Sequence, residues 1–288
     1  MFNYKSNAQP LVNVGRWIPG NHSWTERFFP TGVDFTYSTG DNSPPSQEAP
    51  AVLTVVRLGV LLPMFGMRTA GYSIISWSPR VGVYQALREL NNKTDGVADD
   101  LLPAVSLQIA FRDDKCDSTE GLLGGLQLAQ EAFSGQGVSA IIGAGCSGAS
   151  ETAAQVAGGS RVPVISPSSL SPSLSNGRVY PWFLRVAPSD EFTASGIVDI
   201  LQHLMSYSVI ALASSTDAYG SGGAGVVRSA ASTAGLTLVE SVTFNPGTSD
   251  FSAQHRTLRL SSASVIVLIA QAYDSARFMH SALAAGIG

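Results

Sequence analysis

Apolar runs of strand length recur along this chain, and the segments between them carry a helical pattern. The apolar runs lie at 52–62, 104–111, 138–143, 162–166, 208–213, 236–243 and 263–269. Between them, apolar residues recur every three or four positions, which is the period of an amphipathic helix. Strands that alternate with helices form βαβ units, so the pattern predicts an α/β fold with parallel sheets.

Capping residues predict where three of the helices begin. Ser78 followed by Pro79 is typical of an N-cap with proline at the first helical position. Asp117 and Glu120 have the spacing of a capping box. Ser189 is followed by two acidic residues, which suit the positive end of a helix dipole. We expect a helix to start at each of these three places.

The chain divides into regions of different composition. Residues 1–50 mix aromatic residues with turn residues and end in a Pro/Ser-rich stretch, 42–50, that is typical of a linker. A strand-like segment ends near 185–190, and a fresh series of strands and helices follows it. That second series stops at Gly288 directly after a predicted helix, so we expect its sheet to be incomplete in this chain.

Composition and charge narrow the classes of function. A length of 288 residues suits about two domains, and 44% hydrophobic residues are enough for a sizeable core. The net charge of −4 offers no broad basic face for nucleic acid or for an anionic membrane. No run approaches the ~20 apolar residues of a membrane span, and the N-terminus lacks a signal-peptide pattern. No spacing of Cys or His is typical of a metal site, so no metal or cofactor is predicted.

A glycine-rich motif at 145–149 follows a predicted strand and precedes a predicted helix. Its central residue, Ser147, nearly fits the G-x-S-x-G elbow of a serine hydrolase, but Ala149 replaces the last glycine. A hydrolase also needs a histidine base, and only His255 is conceivable. Two other interpretations stay open, a backbone anion site at the helix N-terminus and an ordinary N-cap.

Two further segments are candidates for ligand binding. Residues 220–225 spell G-x-G-x-x-G, with Glu240 near the position of a ribose-binding acid, but six residues separate the glycines from the preceding strand. A flexible glycine-rich helix entrance is the alternative interpretation. The Ser/Pro loop 166–176 follows a strand and places hydroxyl groups at the carboxyl edge of the sheet, where open α/β folds bind ligands.

Cys116 and Cys146 are the only cysteines, and each follows the end of a strand that should neighbour the other. A disulfide between them would close a loop of about thirty residues and add roughly 3–4 kcal/mol of stability. Two independent buried thiols are the alternative. Asn21 and Asn92 begin triplets that are glycosylation acceptors if the chain is secreted.

Several motifs, in order along the chain, resemble those of one superfamily. They are LLPM at 61–64, LLPAVSLQIAFRDDKCD at 101–117, GCS at 145–147, VPVISPSSLSPSLSN at 162–176, FLRVAPSD at 183–190 and DAYGSGG at 217–223. This set resembles the extracellular ligand-binding region shared by class C G-protein-coupled receptors, natriuretic-peptide receptors and bacterial amino-acid-binding proteins. Within that superfamily, the strongest resemblance is to the type B GABA receptor.

The resemblance implies a fold and a class of function. The fold is a two-lobed clamshell of the type I periplasmic-binding-protein kind, in which each lobe is a parallel sheet with helices on both faces. Lobe I would cover 51–187, and lobe II, which is incomplete, would cover 188–288. The implied function is non-enzymatic: the ectodomain of a membrane receptor, on the extracellular side of the cell membrane, senses a small zwitterion by closing. The resemblance also implies that Cys116 and Cys146 form a disulfide.

Ligand contacts are implied by the same resemblance. Ser147, with Ser168 or Ser169, matches positions that hydrogen-bond a ligand carboxylate. Asp190 matches the acid that meets the ligand amine, and Tyr219 matches an aromatic residue that stacks on the ligand or covers it. A zwitterion needs donors at one end and an anion at the other, inside a cleft that excludes water.

The sequence departs from the family pattern in two places. Leu170 stands where glutamate-type members place a hydroxyl group. The loop 65–76 is longer than in the type B GABA receptor, with Arg68 or Trp77 as candidate ligand-facing residues. The departure at Leu170 argues against a glutamate-like contact.

The resemblance implies a small amino-acid-like ligand and a homo- or heterodimer through lobe I. No nucleic-acid partner and no cofactor are expected, and contact with a membrane would be made only by segments outside this chain. A soluble substrate-binding protein for amino-acid transport is the alternative function. A serine hydrolase or a dinucleotide-binding oxidoreductase is the remaining one.

Overall fold

The computed structural model describes residues 17–18, 23–24, 54–63, 73–131 and 137–287. The chain divides into two compact units, 1–51 and 52–288. In the first unit, strands β1 (Trp17–Ile18) and β2 (Ser23–Trp24) pair in antiparallel fashion. The rest of the predicted N-terminal extension, including Asn21, lies outside the described residues.

The second unit begins with a five-stranded parallel sheet, called the first sheet here. Its elements are β3 (Thr54–Leu61), α1 (Ser73–Asn91), β4 (Val105–Arg112), α2 (Ser118–Glu131), β5 (Ala140–Gly143), α3 (Ser147–Gly159), β6 (Val164–Ser166), a 3-10 turn (Pro172–Ser175) and β7 (Phe183–Arg185). The strands lie in the order β4-β3-β5-β6-β7, and every pair is parallel. Because β3 has β4 on one side and β5 on the other, the connections diverge at its carboxyl end and open a crevice there.

A second parallel sheet follows in the same unit. Its elements are α4 (Asp190–Asp199), which continues as a π-helix (Ile200–Leu204), β8 (Val209–Ser215), α5 (Ala218–Ala234), β9 (Thr237–Phe244), α6 (Ser252–Leu260), β10 (Val265–Ile269) and α7 (Ala272–Ala284). The strand order is β10-β8-β9. Each apolar run predicted from the sequence overlaps one strand of the two sheets, so the α/β prediction with parallel sheets is confirmed.

Side-chain alternation in β8 explains why helices cover both faces of the second sheet. Ile210 and Leu212 belong to a core shared with α4 and α5, whereas Ala211 and Ala213 belong to a core shared with α6 and α7. Successive residues of a strand point to opposite faces, so an unbroken apolar run needs a covering layer on each side. No helix in the described part of the chain is both long and apolar enough to cross a membrane.

Two of the predicted helix starts are confirmed. One Asp117 carboxylate oxygen accepts hydrogen bonds from the backbone N–H groups of Thr119 and Glu120, at 2.8 and 3.1 Å, at the start of α2. Ser189 is the N-cap of α4, and its hydroxyl oxygen accepts a hydrogen bond from the Glu191 N–H. These side chains satisfy N–H groups that the first turn of a helix leaves without partners.

The third predicted start, at Ser78 and Pro79, is wrong. Helix α1 begins at Ser73 and contains Pro79. An internal proline removes one backbone hydrogen bond and costs about 3 kcal/mol, but it kinks a helix without always ending it. The capping pattern therefore predicted a helix start at a position that lies inside the helix. Trp77 lies in this helix, whereas Arg68 lies outside the described residues.

Glycines bring α2 and α3 into backbone contact. A Cβ atom added at Gly121 would lie 2.6 Å from the Cα and the carbonyl oxygen of Ala149. One turn later, a Cβ atom at Gly125 would lie 2.9 Å from the Cα of Ala153. Real Cβ contacts are longer than this, so only glycine permits the observed helix spacing. The packing fixes the start of α3 at the carboxyl edge of the first sheet.

Candidate functional site

The crevice at the carboxyl ends of β3 and β5 is bordered by loops that carry most of the predicted site residues. A disulfide joins two of them, linking Cys116 in the loop after β4 to Cys146 in the loop after β5, with their Cα atoms 5.2 Å apart. The structure thus forms the disulfide that the family resemblance implies, and neither cysteine is a free thiol. This staple holds the start of α3 beside the start of α2.

Cys146, and not Ser147, is the N-cap of α3. Its backbone is extended, with φ −108° and ψ 143°, and its side chain caps no N–H group because the sulfur atom is in the disulfide. Ser147 is the first helical residue, so the interpretation of Ser147 as an ordinary N-cap is wrong. The first N–H groups of a helix have no partner within it, and the helix dipole makes them a binding place for anions.

Three serine hydroxyls converge on one backbone carbonyl and stiffen the loops. The Ala144 oxygen accepts hydrogen bonds from the hydroxyls of Ser150, Ser166 and Ser169 at 3.0, 2.6 and 3.2 Å. The Ser169 hydroxyl also lies 2.8 Å from that of Ser150, and all three serines are buried. The network holds the loop after β6 against the loop after β5.

The two remaining predicted serines are placed differently. Ser147 is 2% exposed, and its hydroxyl oxygen accepts a hydrogen bond from the Ser171 N–H at 3.2 Å. The hydroxyl of Ser147 therefore keeps its own proton for donation. Ser168 is exposed, and its hydroxyl donates to the Gly145 carbonyl at 2.8 Å. Both hydroxyls lie beside the uncapped start of α3.

Asp190, at the start of α4, carries a buried acceptor that has no partner. The residue is 7% exposed, its backbone N–H donates to the Leu170 carbonyl at 3.0 Å, and its Oδ2 atom has no hydrogen bond. Burial raises the pKa of Asp190, while the charge of Arg185 and a hydrogen bond from Thr193 act in the opposite direction. A buried carboxylate oxygen without a hydrogen bond is costly, and a cation placed beside Oδ2 would relieve that cost.

Tyr219, in the first turn of α5, lies close to this carboxylate. Burial raises the pKa of the Tyr219 hydroxyl, and the charges of Asp190 and Asp217 raise it further. A Cβ atom at Gly223 would lie 3.5 Å from Asp190 Oδ2, so the glycine lets α5 approach the carboxylate closely. Asp217 caps α5 by accepting a hydrogen bond from the Gly220 N–H at 2.8 Å.

The starts of α3 and α5 meet at this crevice. A Cβ atom at Gly148 would lie 3.8 Å from that of Ala218, and one at Gly222 would lie 3.0 Å from both the Ser171 hydroxyl oxygen and Pro172 Cδ. Elements of the first and second sheets are thus in contact beside the candidate residues. The structure places Ser147 and Ser168 at the start of α3 and Asp190 close to Tyr219, and it places the Ser169 hydroxyl inside the buried serine network.

Two features that suggested enzymes are used structurally. The glycines at 220–225 lie inside α5, not between a strand and a helix, and Gly223 packs against Ile269. His255 is 4% exposed and packs edge-on against Phe278 at 4.7 Å, in the core between the second sheet and α6. Burial lowers the pKa of His255. Neither feature supports a catalytic role. Among the described residues, no group of acidic, His or Cys side chains could hold a metal ion.

Three charged residues around the crevice were missed in the sequence analysis. Arg185, on β7, donates to the carbonyls of Ser169 and Ser171, and Glu151, on α3, accepts from the Ser171 hydroxyl at 3.3 Å. Asp114, the third, accepts hydrogen bonds from both loops that the disulfide joins. The only signal in the sequence was a charge inside or beside an otherwise apolar segment. Such a charge does not reveal its partner.

Asp114 connects the two loops that the disulfide joins. It is 0% exposed, and its two oxygens accept hydrogen bonds from the N–H groups of Cys116 at 2.8 Å and Gly145 at 3.4 Å. Burial raises the pKa of Asp114 to about 6, although both hydrogen bonds act to lower it.

We expect Asp114→Asn to remove a pH dependence of stability. The folded-state pKa is raised from 3.8 to about 6, so the native state holds this proton more tightly than the unfolded chain. The stabilisation is present below about pH 4 and is lost as the pH rises through the folded-state pKa, by about 3 kcal/mol. Urea unfolding below pH 4 and well above the folded-state pKa should show this loss in the wild type and in the exposed control Asp100→Asn. A curve for Asp114→Asn that runs parallel to the wild type would contradict the assignment.

Comparison with known proteins identifies the family. Residues 80–288 match the receptor family ligand binding region, the ANF receptor family. Over 255 residues the chain is 27% identical to metabotropic glutamate receptor 4 of Mus musculus, a match that covers 79% of this chain and 27% of the receptor. Over 134 residues it is 30% identical to gamma-aminobutyric acid type B receptor subunit 1 of Mus musculus, covering 46% of this chain and 12% of that one.

Solved structures share the fold. The leucine binding protein LivK of Thermotoga maritima superposes with a TM-score of 0.67 at 21% identity, covering 80% of this chain and 61% of its own. LivJ of Streptococcus pneumoniae, a branched-chain amino acid transporter substrate binding protein in complex with isoleucine, gives 0.65 at 21% identity, covering 82% and 62%. These neighbours confirm the predicted fold of the type I periplasmic-binding-protein kind. The chain spans about a quarter of the length of the metabotropic receptors it matches. It belongs to the ANF receptor family of ligand-binding regions, the superfamily that its motifs resemble.

Proposed function

We propose that this chain is the ligand-binding part of a membrane receptor and that it binds an amino acid or a related small zwitterion without transforming it. The site would lie between the start of α3 and the starts of α4 and α5. One observation carries the proposal: the uncapped start of α3 and the buried Asp190 oxygen without a hydrogen bond are both tied to the same loop, α3 through the Ser171 N–H and Asp190 through the Leu170 carbonyl. These two groups complement the two charges of a zwitterion.

The carboxylate of the ligand would be held at the start of α3. The N–H groups there carry the positive end of the helix dipole, and the Ser147 hydroxyl keeps a proton because its oxygen accepts from Ser171. We propose Ser168 as the second hydroxyl donor, since it is exposed and can rotate from the Gly145 carbonyl toward a ligand. Ser169, the alternative, is 1% exposed and already engaged.

The ammonium group of the ligand would pair with Asp190. The Oδ2 atom lacks a hydrogen bond, and a charge-assisted hydrogen bond from an ammonium group would satisfy it. Tyr219, on the opposing helix, is half-buried next to this carboxylate and would cover the ligand. Covering excludes water and strengthens the charge pair.

Binding would act by a population shift between open and closed arrangements of the two sheets. The contact of Gly222 with Ser171 and Pro172 joins α5 to the 3-10 turn of the first sheet. A ligand that touches both sides stabilises the closed arrangement by its differential affinity. Sensing needs no chemical step, which is why we propose a non-enzymatic function.

Two settings for this site remain, and the relatives include both. We propose a class C G-protein-coupled receptor of the type B GABA receptor kind, on the extracellular side of the cell membrane and dimeric through the first sheet. A soluble substrate-binding protein for amino-acid transport is the second candidate, which the likeness to LivK and LivJ favours. A reading frame that continues into seven apolar segments would decide for the receptor.

We also propose that Asn92 is glycosylated, which follows from the proposed extracellular location. The residue lies in the turn after α1, half-buried, with its side-chain oxygen accepting hydrogen bonds from the N–H and hydroxyl of Thr94. Its amide nitrogen donates to Asp95 at 2.8 Å. A surface turn of this kind is where an N-x-T acceptor is expected.

The test of the function is a thermal-shift scan of this chain against the twenty L-amino acids and γ-aminobutyrate. A ligand that binds the native state adds about 2.7 kcal/mol to the free energy of unfolding at a hundred times its Kd. The melting temperature rises as a result. Calorimetry on each stabilising compound then gives the affinity. A folded, disulfide-bonded chain that none of these compounds stabilises would contradict the proposal.

Among the site serines, we expect Ser168→Ala and Ser169→Ala to have opposite signatures. Loss of the exposed Ser168 hydroxyl should lower ligand affinity about tenfold, the value of a hydrogen bond to a charged group, with little change in melting temperature. Loss of Ser169 should lower the melting temperature, because it removes a buried donor to Ala144. Calorimetry and thermal unfolding of both variants check this. The reverse result would move the ligand contact to Ser169.

A further inference from the structure

Arg185, the last residue of β7, is tied to the loop that carries the candidate serines. Its Nη1 atom donates to the carbonyls of Ser169 and Ser171, at 3.3 and 2.9 Å, and its Nη2 atom donates to the Ser175 hydroxyl. One guanidinium thus spans the loop from the buried serine network to the 3-10 turn. The planar fork of arginine suits such a set of acceptors, and lysine cannot reproduce it.

Ser171 connects the loop that Arg185 holds to the candidate site. Its N–H donates to the Ser147 hydroxyl, and its own hydroxyl donates to Glu151 on α3. The preceding residue, Leu170, accepts the backbone hydrogen bond from Asp190. The segment that Arg185 grips therefore contacts both the donor side and the acceptor side of the crevice.

The geometry points to Arg185 as a positioning residue that holds the serine loop in its binding shape. As a second effect, the Arg185 cation counteracts part of the rise that burial causes in the pKa of Asp190. This cation is the charged group on β7 that acts on Asp190, and the hydroxyl of Tyr219 faces the carboxylate from α5. Neighbouring Glu191, on the same helix, is exposed to solvent. The consequence for ligand affinity rests on the proposed function, but the two effects on the protein itself do not.

Both effects can be measured on the ligand-free chain with Arg185→Gln and Arg185→Lys. Removing the cation takes away the influence that lowers the pKa of Asp190, so the carbon-13 titration of its carboxyl should move to higher pH in Arg185→Gln. Arg185→Lys keeps the charge and should titrate like the wild type. In both variants the Ser171 amide should exchange with solvent faster, by about tenfold, because the fork is lost. The Asp190 signal is assigned by its absence in Asp190→Asn.

Arg178→Gln is the matched control, because it removes an exposed cation from the segment between the same 3-10 turn and β7. It should change neither the titration of Asp190 nor the exchange of Ser171. Where a stabilising amino acid has been found, its affinity for Arg185→Gln should be about tenfold lower at neutral pH. On acidification, its affinity for this variant should begin to decline at a higher pH than its affinity for the wild type.

The inference is overturned if the Asp190 titration in Arg185→Gln coincides with that of the wild type, or if Ser171 exchange is unchanged in both variants. Should Arg185→Gln fail to fold, Arg185→Lys still tests the loop restraint. Failure of every amino acid to bind, with both ligand-free effects present, would count against the proposed function and leave the role of Arg185 standing.

Discussion

Replacement of Gly121 by leucine is expected to prevent stable packing of α2 on α3. A Cβ atom at this position would lie 2.6 Å from the Ala149 backbone, and backbone atoms cannot move aside as a flexible side chain can. Overpacking of a core usually costs about 1–3 kcal/mol, and a branched side chain against a helix backbone should exceed that range. We expect the melting temperature to fall by about 10 °C or more in differential scanning calorimetry.

The same chemical change at two helical glycines gives a sharper comparison. Gly225, inside α5, has nothing within 4 Å of an added Cβ atom, so Gly225→Ala should gain the helix propensity of alanine, about 0.5–1 kcal/mol. Gly121→Ala should destabilise instead, because the clash outweighs this gain. Equal stabilisation by both alanines would show that α2 and α3 do not pack as closely as described.

Asp190→Asn is expected to weaken ligand binding by about a hundredfold and to stabilise the ligand-free chain. Asparagine keeps the shape of the side chain but cannot pair electrostatically with an ammonium group, and loss of one partner of a buried charge pair costs about 2–5 kcal/mol. Burial raises the pKa of Asp190, so the native state binds this proton more tightly than the unfolded chain does. Above the folded-state pKa the ionised carboxylate therefore destabilises the fold, and the amide removes that burden.

Calorimetry and thermal unfolding at neutral pH would measure both effects on one variant. Asp199→Asn is the matched control, since it makes the same change at the other end of α4, where the side chain is exposed. It should leave affinity and melting temperature close to the wild-type values. A variant Asp190→Asn that binds as tightly as the wild type would exclude the carboxylate from the site.

The strands were predictable because each is buried by layers on its faces and so reads as a continuous apolar run. The apolar run at 208–213 overlaps β8, whose alternating residues pack into two separate cores. Helix starts were predictable where a side chain caps them locally, as Asp117 and Ser189 do. The prediction from capping residues failed at Pro79. A helix that continues through a proline depends on contacts that the sequence does not display.

The candidate site residues could be named from the sequence, whereas their hydrogen bonds could not. Ser147 and Asp190 stood out because they follow strand ends within recognisable motifs. The choice between Ser168 and Ser169 depends on which hydroxyl turns toward Ala144, and neighbouring serines look alike in a sequence. Arg185 was invisible as a positioning residue because its partners are backbone carbonyls, which every residue type supplies.

The most direct test of the proposed site is chemical-shift mapping on the nitrogen-15-labelled chain, titrated with the amino acid that gives the largest thermal shift. We predict saturable changes at the amides of Ser147, Gly148, Ser168, Asp190 and Tyr219, with a single dissociation constant that matches calorimetry. Changes confined to other surfaces, or none up to about 10 mM ligand, would contradict a zwitterion site between the starts of α3 and α5.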